Sequence, residues 1–360
     1  MFEIMSGAKQ MGQFTVTIGD HFAVRGKPMT CNSRMLESFS PPYTASVVEK
    51  LQEAGATISG RMPVGELGLP VENVLNETPS PIVCGDPVRW LARNAEADLI
   101  AFEGTAGRVS RFGLLTITPG LCRVGTITKT VEETENLMKI ITGHDSRDAV
   151  TLDEPFSLVS ETVEEKKIGF VGELPGITPQ KDIFTTRGLE VVDLSLPNIV
   201  HATQIYRILA ACEASSSLTK FDGAHENRRA TDDEILQARE KYPELKTMSP
   251  LDQLYFVSRS EGLGLDIKMT VTLGALALNG EQFETVFLKS AKVRRLIRDD
   301  YDRAFEKADF IVSPLCQAAV CASKLVGLPV IAFSGLMIQS PTFTEGNLLN
   351  FAKTVRSAFL

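Results

Sequence analysis

The most informative stretch of the sequence runs from Gly104 to Asp145 and reads GTAGRVSRFGLLTITPGLCRVGTITKTVEETENLMKIITGHD. Its β-branched run VGTIT comes directly before a helical pattern over 131–142. Thr130 and Glu133 have the spacing of a capping box, and Gly143 is a typical signal for the end of a helix. The stretch therefore predicts turns, a strand and a capped helix in succession.

Strand and helix patterns alternate along the rest of the chain. Further helices are predicted over 44–54, about 281–307 and about 344–358. Short β-branched runs bounded by Gly or Pro predict strands at 15–18, 167–171, 189–196, 308–314 and 327–333. Such alternation is typical of an α/β protein with a partly parallel sheet. Two segments lack it: 66–88 reads as a loop, and the charged segment 222–250 reads as a surface excursion.

Composition argues against several classes of protein. The 360 residues are 43% hydrophobic and 23% charged, which is ordinary for a globular protein. The net charge is −8, so no overall basic field attracts nucleic acid, and we expect no direct nucleic-acid binding. The most basic local run is KVRRLIR, Lys292 to Arg298, which is interpreted as the solvated face of a helix.

Cysteine spacing and hydropathy indicate the compartment. The six cysteines form no CxxC pair and have no zinc-ligand spacing with the four histidines, so no metal or cofactor is expected. The first residues lack the pattern of a signal peptide, and no apolar run is long enough to span a membrane. The expectation is a cytoplasmic protein with reduced thiols.

Standard catalytic motifs are absent from the sequence. It contains no Walker loop, no GxGxxG after a strand, no HExxH and no GxSxG, and the serine run EASSSL (213–218) suits close helix packing. The strand at 15–18 ends in Gly19-Asp20-His21, a place where α/β enzymes often carry their chemistry. Asp20 could orient the imidazole of His21, but adjacent strand residues point to opposite faces, so the pair requires that the strand has already ended.

The segment 104–145 resembles the amidase signature family, and within it most closely the A subunits of glutamyl-tRNA(Gln) amidotransferases. The runs GRVSRFGL (107–114), VGTIT (124–128) and GHD (143–145) are similar to that branch position by position. The similarity continues in the family's order along the chain, at 25–61, 167–170, 190–197, 213–223, 259–264, 273–278, 292–297 and 304–314.

This resemblance implies a fold and a chemistry. The implied fold is a single domain over 1–360, with a central mixed, largely parallel sheet covered by helices on both faces. The implied chemistry is amide hydrolysis by a serine nucleophile, a second serine in a cis peptide, and a lysine that accepts the proton. In the amidotransferase branch the reaction releases ammonia from glutamine for a partner subunit. Serine needs such a relay because it is a weak nucleophile at neutral pH.

The residues that should carry this chemistry are missing. The family lysine follows a strand in an IKDN-like motif, and the corresponding run IGDH places Gly19 at that position and keeps Asp20. The interval 79–107 contains no Gly-Gly-Ser, and Gly85-Asp86 is interpreted as the last trace of the second serine-glycine stretch. Met269-Thr270 replaces the arginines that help bind the α-carboxylate of glutamine, the loop at 315–326 is short, and the N-terminal helical segment of the family is expected to be missing.

The sequence therefore predicts a degenerate, catalytically inactive homologue that binds a partner or ligand. Its vestigial cleft is expected to contain Gly19, Asp20, Gly85, Asp86, Arg108 and Ser110. Its partners would be other amidotransferase subunits, or its ligand a small amide or amino acid. One alternative is a repurposed enzyme in which Cys84 attacks with the help of His21. Another is an active amidase or a glutaminase-type subunit in tRNA-dependent amidation.

Overall fold

The computed structural model describes residues 13–69, 81–93, 98–157, 166–174, 178–223 and 228–356. Ten strands in these residues form one continuous sheet. They are β1 Phe14–Gly19, β2 Ala56–Met62, β3 Ile82–Gly85, β4 Ile100–Glu103, β5 Val124–Thr128, β6 Lys167–Val171, β7 Glu190–Leu194, β8 Phe310–Pro314, β9 Val330–Phe333 and β10 Leu336–Gln339.

The sheet is mixed, and its order is β2-β1-β3-β5-β4-β9-β10-β8-β6-β7. Parallel pairs lie in the two flanks, where β1 pairs with β2 and β3, and β6 pairs with β7 and β8. The pairs between these flanks are antiparallel, because β5, β9 and β10 run against their neighbours. The α/β class and the mixed sheet are confirmed, with less parallel pairing than the sequence led us to expect.

The helices alternate with the strands along the chain. They are α1 Ser46–Glu53, α2 Pro87–Leu91, α3 Val131–Ile141, α4 Thr178–Thr186, α5 Ala202–Ser217, α6 Asp232–Lys241, α7 Pro250–Gly262, α8 Leu265–Leu278, α9 Gly280–Gln282, α10 Lys289–Phe305, α11 Gln317–Val326 and α12 Glu345–Arg356. A π-helical segment, Phe283–Leu288, joins α9 to α10, so the long helix predicted at 281–307 is present with one irregular stretch. None of the helices in the described residues is long and apolar enough to cross a membrane.

Helices cover both faces of the sheet, as expected. On β3, Ile82 and Cys84 belong to one apolar cluster and Val83 belongs to the other, because successive strand residues point to opposite faces. The first cluster takes its helical residues from α2, α5, α10 and α11, and the second takes them from α1, α3, α4 and α12. Burial on both faces explains why so many of the strands are continuous apolar runs.

Sequence signals that depend on neighbouring residues predicted the local structure correctly. The side chain of Thr130 accepts a hydrogen bond from the backbone N–H of Glu133, which completes the predicted capping box of α3. The serine run does pack closely against α8, because a Cβ at Gly274 of that helix would lie 2.7 Å from the Cβ of Ser215 in α5. The predicted loop at 66–88 contains the buried strand β3, while its residues 70–80 lie outside the described part of the chain.

The charged segment 222–250 contains regular helical structure within its described part. It contains α6, which buries none of its residues, and it leads into α7. A small apolar cluster of Ala230, Leu245, Leu254 and Val257 holds the segment together. It is therefore a surface excursion, as expected, with more regular structure than its composition suggested.

Candidate functional site at the ends of two strands

The ends of β1 and β3 bring four of the sequence-predicted residues together. The two strands are parallel neighbours, with Thr17 opposite Ile82 and Ile18 opposite Val83. Their carboxyl ends, Gly19 and Gly85, therefore meet at one edge of the sheet, and Asp20 and Asp86 follow them. Since β1 ends at Gly19, Asp20 and His21 are already outside the strand.

The imidazole ring of His21 fills the space beside both glycines. A Cβ built on Gly19 would lie 2.7 Å from Cε1 and 3.0 Å from Nε2 of His21, and a Cβ on Gly85 would lie 3.0 Å from the same Nε2. No side chain fits at position 19 while the ring keeps this position. The cavity left beside the ring has a volume of about 30 Å³, which is room for about one water molecule.

His21 is neutral in this environment. Burial lowers the pKa of its imidazole to about 4, a change that the nearby carboxylate of Asp86 only partly opposes. Its Nε2 accepts a hydrogen bond of 2.8 Å from the backbone N–H of Gly85, which assigns the proton to Nδ1. Nδ1 is buried and has no hydrogen-bond partner among the described residues. The ring thus acts as a polar plug.

The carboxylate of Asp20 forms its contacts away from the ring of His21. It accepts a hydrogen bond of 3.1 Å from the backbone N–H of Cys31 and forms an ion pair of 3.0 Å with Arg61 on β2. The guanidinium of Arg61 also donates to the carbonyl oxygen of Phe22 at 2.7 Å. Asp20 therefore fastens the loop after β1 to β2 and does not orient His21.

Cys84 lies next to the plug but does not pair with it. Its side chain is completely buried in the first apolar cluster, and burial raises the pKa of its thiol well above the ordinary value. Neither nitrogen of His21 is hydrogen-bonded to its sulfur: Nε2 is bonded to Gly85, and Nδ1 has no partner in the described chain. A nucleophilic cysteine needs thiolate and an adjacent base, and the arrangement supplies neither.

Asp86 belongs to a buried group of four charged residues that sequence reasoning missed. The ammonium of Lys324 lies 2.6 Å from a carboxylate oxygen of Asp86 and 3.0 Å from both carboxylate oxygens of Glu103. Arg123 forms an ion pair of 3.0 Å with Glu103 and donates its backbone N–H to Asp86 at 3.2 Å. Lys324 lowers the pKa of the Asp86 carboxyl despite burial, which favours its charged form. The only sequence signal was a lysine inside the apolar run CASKLV.

Arg108 and Ser110 lie away from the plugged cleft and hold the fold together. The guanidinium of Arg108 donates two hydrogen bonds, at 3.0 and 3.1 Å, to the carboxylate of Glu345 at the start of α12. The hydroxyl of Ser110 donates to Asp145 at 2.8 Å and accepts from the backbone N–H of Phe112 at 3.1 Å. The GRVSR run therefore joins the loop after β4 to α12 and to the segment after α3.

A larger groove adjoins the plugged cleft. It has a volume of about 490 Å³ and shares Gly68, Leu69 and Asp86 with the small cavity. Arg89 crosses it, with its guanidinium donating to the hydroxyl of Tyr206 at 3.0 Å and lying 5.0 Å from the centre of that ring. Met269 and Thr270 line the same groove.

Comparison with known proteins identifies the family. A family model described as Amidase matches residues 15–78 and 99–327, so the unmatched interval contains β3 and α2. The glutamyl-tRNA(Gln) amidotransferase A subunit of Thermoanaerobacter pseudethanolicus is 31% identical over 95% of this chain and 82% of that protein. The corresponding protein of Caldanaerobacter subterraneus is 30% identical over 98% of this chain and 84% of that protein.

The fold agrees with this result. The crystal structure of the glutamyl-tRNA(Gln) amidotransferase A subunit from Thermotoga maritima superposes with a TM-score of 0.71 at 23% identity, over 95% of this chain and 82% of that one. The urea amidolyase of K. lactis has a TM-score of 0.69 over 96% of this chain and 23% of that much longer one. The chain therefore belongs to the amidase family and is similar to the A subunits of glutamyl-tRNA(Gln) amidotransferases.

Proposed function

We propose that this protein is a non-catalytic member of the amidase family that acts by binding a partner or a small ligand. One observation carries the proposal: the imidazole of His21 occupies the space in which a side chain at position 19 would project. The family resemblance requires a lysine at that position. Glycine cannot accept a proton, and a lysine would collide with the ring.

Other features of the strand ends support the same conclusion. The family match is interrupted at 79–98, the interval in which the serine-glycine stretches should lie. The remaining cavity of about 30 Å³ is too small for an amide substrate. The oxyanion of such a reaction needs backbone N–H groups that are free to approach it, but the N–H of Gly85 is bonded to His21.

The groove beside the cleft is the proposed place for a ligand. The groove combines polar groups with an apolar wall, which suits a small amide or amino acid. The polar groups are the guanidinium of Arg89 and the phenol of Tyr206, and the wall is formed by Met269 and Leu273. The related proteins are named as A subunits of amidotransferases, so a protein partner of that kind is proposed for this chain as well. All six cysteines are free thiols, which supports a reducing, cytoplasmic location.

The proposal is tested by measuring ammonia release. Purified protein is incubated with glutamine, asparagine and acetamide, and an amidase of established activity serves as positive control. We expect no ammonia above the buffer blank. A parallel incubation with a fluorophosphonate ester, followed by mass spectrometry of the intact protein, should show no covalent adduct.

The proposal fails if ammonia release is proportional to the protein concentration and is lost in the Cys84→Ala or His21→Ala variant. Circular dichroism of each variant must first show that it folds. Release that persists unchanged in both variants and disappears on further purification belongs to a contaminating amidase and leaves the protein inactive, as proposed.

A further inference from the structure

A second cavity lies at the same edge of the sheet, past the buried charged group. It has a volume of about 280 Å³ and lies between the loop after β4, the loop before β5, and the helices α10 and α11. Six basic side chains line it, and no acidic residue is among its described lining residues. The six are Arg108, Arg111, Arg123, Arg294, Arg298 and Lys324.

Most of these cations form ion pairs with carboxylates that lie outside the cavity lining. Arg108 is bonded to Glu345, and Arg111 is bonded to Asp148 at 2.9 Å. Arg123 and Lys324 share Glu103. Because the carboxylates lie outside the lining, they fix the positions of the cations and leave the cavity itself a site of positive potential.

The two arginines of α10 are different. Arg294 and Arg298 are four residues apart, so they lie one turn apart on the same helix face. Arg294 donates its Nε to the carbonyl oxygen of Leu325 at 2.7 Å and forms no ion pair with any described residue. Among the residues that the structure describes, Arg298 forms an ion pair only with Asp302, at 3.8 Å, and its side chain is half exposed. Both guanidinium groups therefore retain donors for a ligand.

The basic run KVRRLIR is thus divided between two environments. Arg295, in the same run, is 75% exposed and pairs with Asp299 at 2.7 Å, outside the cavity. The Nε atom of Arg123 is a further hydrogen-bond donor at this site. The residue is 7% exposed, and this buried atom has no acceptor among the described residues. Buried donors are usually satisfied, so an unmet one in a cationic cavity points to a missing acceptor.

One acid lies close by. Glu213 on α5 accepts the backbone N–H of Gly120, a lining residue, at 2.8 Å. Burial raises the pKa of this carboxyl, while Arg294 and Arg111 act in the opposite direction. Glu213 therefore holds the loop at Gly120 and offsets part of the positive charge, but it does not pair with either arginine of α10.

We propose that this cavity binds a small oxyanion, a phosphate ester or a carboxylate, through Arg294 and Arg298. Guanidinium groups match both anions because two parallel N–H donors meet two oxygens. A volume of about 280 Å³ is at the lower end for ligand sites, so it suits a small metabolite rather than a nucleotide. The site is separate from the groove beside His21, so its failure would leave the proposed lack of catalysis unaffected.

Calorimetric titration with inorganic phosphate and with malonate tests the proposal. Each titration is run at constant ionic strength with sodium chloride as the reference salt. We expect saturable binding of at least one of the two anions to the wild type and to Arg295→Gln, the matched control from the same basic run. Which anion binds more tightly identifies the ligand as a phosphate ester or a carboxylate.

The variant Arg294→Gln/Arg298→Gln should bind at least about tenfold more weakly, because it loses charge-assisted hydrogen bonds. Arg298→Gln alone keeps the contact between Arg294 and Leu325, and it should bind about threefold to tenfold more weakly even if the double variant does not fold. The proposal is overturned if chloride gives the same heats as phosphate and malonate. It is equally overturned if the double variant binds the anions as tightly as the wild type does. A third contrary result would be binding of a single-stranded RNA whose affinity falls as much in Arg295→Gln as in the other variants.

Discussion

The plugged cleft and the cationic cavity lie at one edge of the same sheet and differ in nearly every physical property. At the ends of β1 and β3, a neutral imidazole leaves about 30 Å³. Next to the ends of β4 and β5, six cations surround about 280 Å³. The ion pair of Asp86 and Lys324 separates the two, because Asp86 lines the cleft and Lys324 lines the cavity.

A neutral ring fills the space at the first place, whereas cations held by acids line open space at the second. A neutral ring needs little compensation, so one hydrogen bond and two glycines are enough to place His21 in the cleft. Charged groups keep their charge in the interior only when they are paired, and the acids behind the cavity provide that pairing. The ion pair of Asp86 and Lys324 is therefore a direct contact between the two linings.

Lys324→Met should have the largest effect on stability. It leaves Glu103 buried and without its ammonium partner, and Asp86 loses the same contact. Removing one partner of a buried ion pair costs about 3–5 kcal/mol of the free energy of unfolding. Urea unfolding measures this loss. The control is Lys167→Met, whose exposed pair with Glu190 should contribute little. A small loss in Lys324→Met, equal to that of the control, would show that the two sites do not share this support.

Acid should destabilise the protein through His21. The unfolded imidazole takes up a proton near pH 6.5, whereas the folded one does so only near pH 4. The unfolded state therefore binds more protons in this window, so stability is lost as pH falls from about 6.5 to about 4. The loss from this group is about 3 kcal/mol.

The pH effect is measured by urea unfolding at a series of pH values. His21→Gln should remove this part of the pH dependence, while His144→Gln, at an exposed position, should retain it. If wild type and His21→Gln have the same slope, the ring of His21 is not held as a neutral plug.

Gly19→Lys should destabilise the protein without restoring activity. The new Cβ would meet the His21 ring at 2.7 Å, and overpacking of this kind costs about 1–3 kcal/mol. The same change made in His21→Ala should cost less, because the ring is gone. A double-mutant cycle from unfolding experiments measures this coupling, and an interaction energy near zero would contradict the packing argument. Ammonia release should stay at the blank level in both backgrounds.

Cys84→Ala should have the smallest effect. Its sulfur packs in the first apolar cluster, and its removal should lower the free energy of unfolding by about 1 kcal/mol. In the native wild type, a thiol reagent such as dithiobis(nitrobenzoic acid) should label Cys316, which is partly exposed, and leave the buried cysteines unlabelled. Cys316→Ala should remove the rapid labelling. Rapid reaction at Cys84 would instead favour a repurposed nucleophile.

Several elements could be predicted from the sequence because their signals are local. The capping box of α3, the long helix through α10 and the strands β1 and β6 depend on residues a few positions apart. Strand β3 was missed, because its four residues Ile82–Gly85 lie in a segment rich in loop signals and their apolar run is too short to mark a strand.

The candidate site was predicted less completely. Gly19 and Gly85 do meet, since they end neighbouring parallel strands, whereas Asp20 binds Arg61 and Asp86 binds Lys324. Arg108 and Ser110 were assigned to the same cleft by family resemblance alone, and the structure places them in contacts with Glu345 and Asp145. Nothing near these residues in the sequence revealed that their partners are so distant along the chain.

The family, the α/β class and the absence of a base at position 19 can be read from the amino-acid sequence, because they depend on which residues occur and on local spacing. Two features became visible only in three dimensions: the ring of His21 fills the space beside Gly19, and Lys324 binds Asp86 and Glu103, which lie more than two hundred positions earlier. Burial, protonation and ion pairing depend on what surrounds a group in space, and the chain acquires those surroundings only when distant segments pack together.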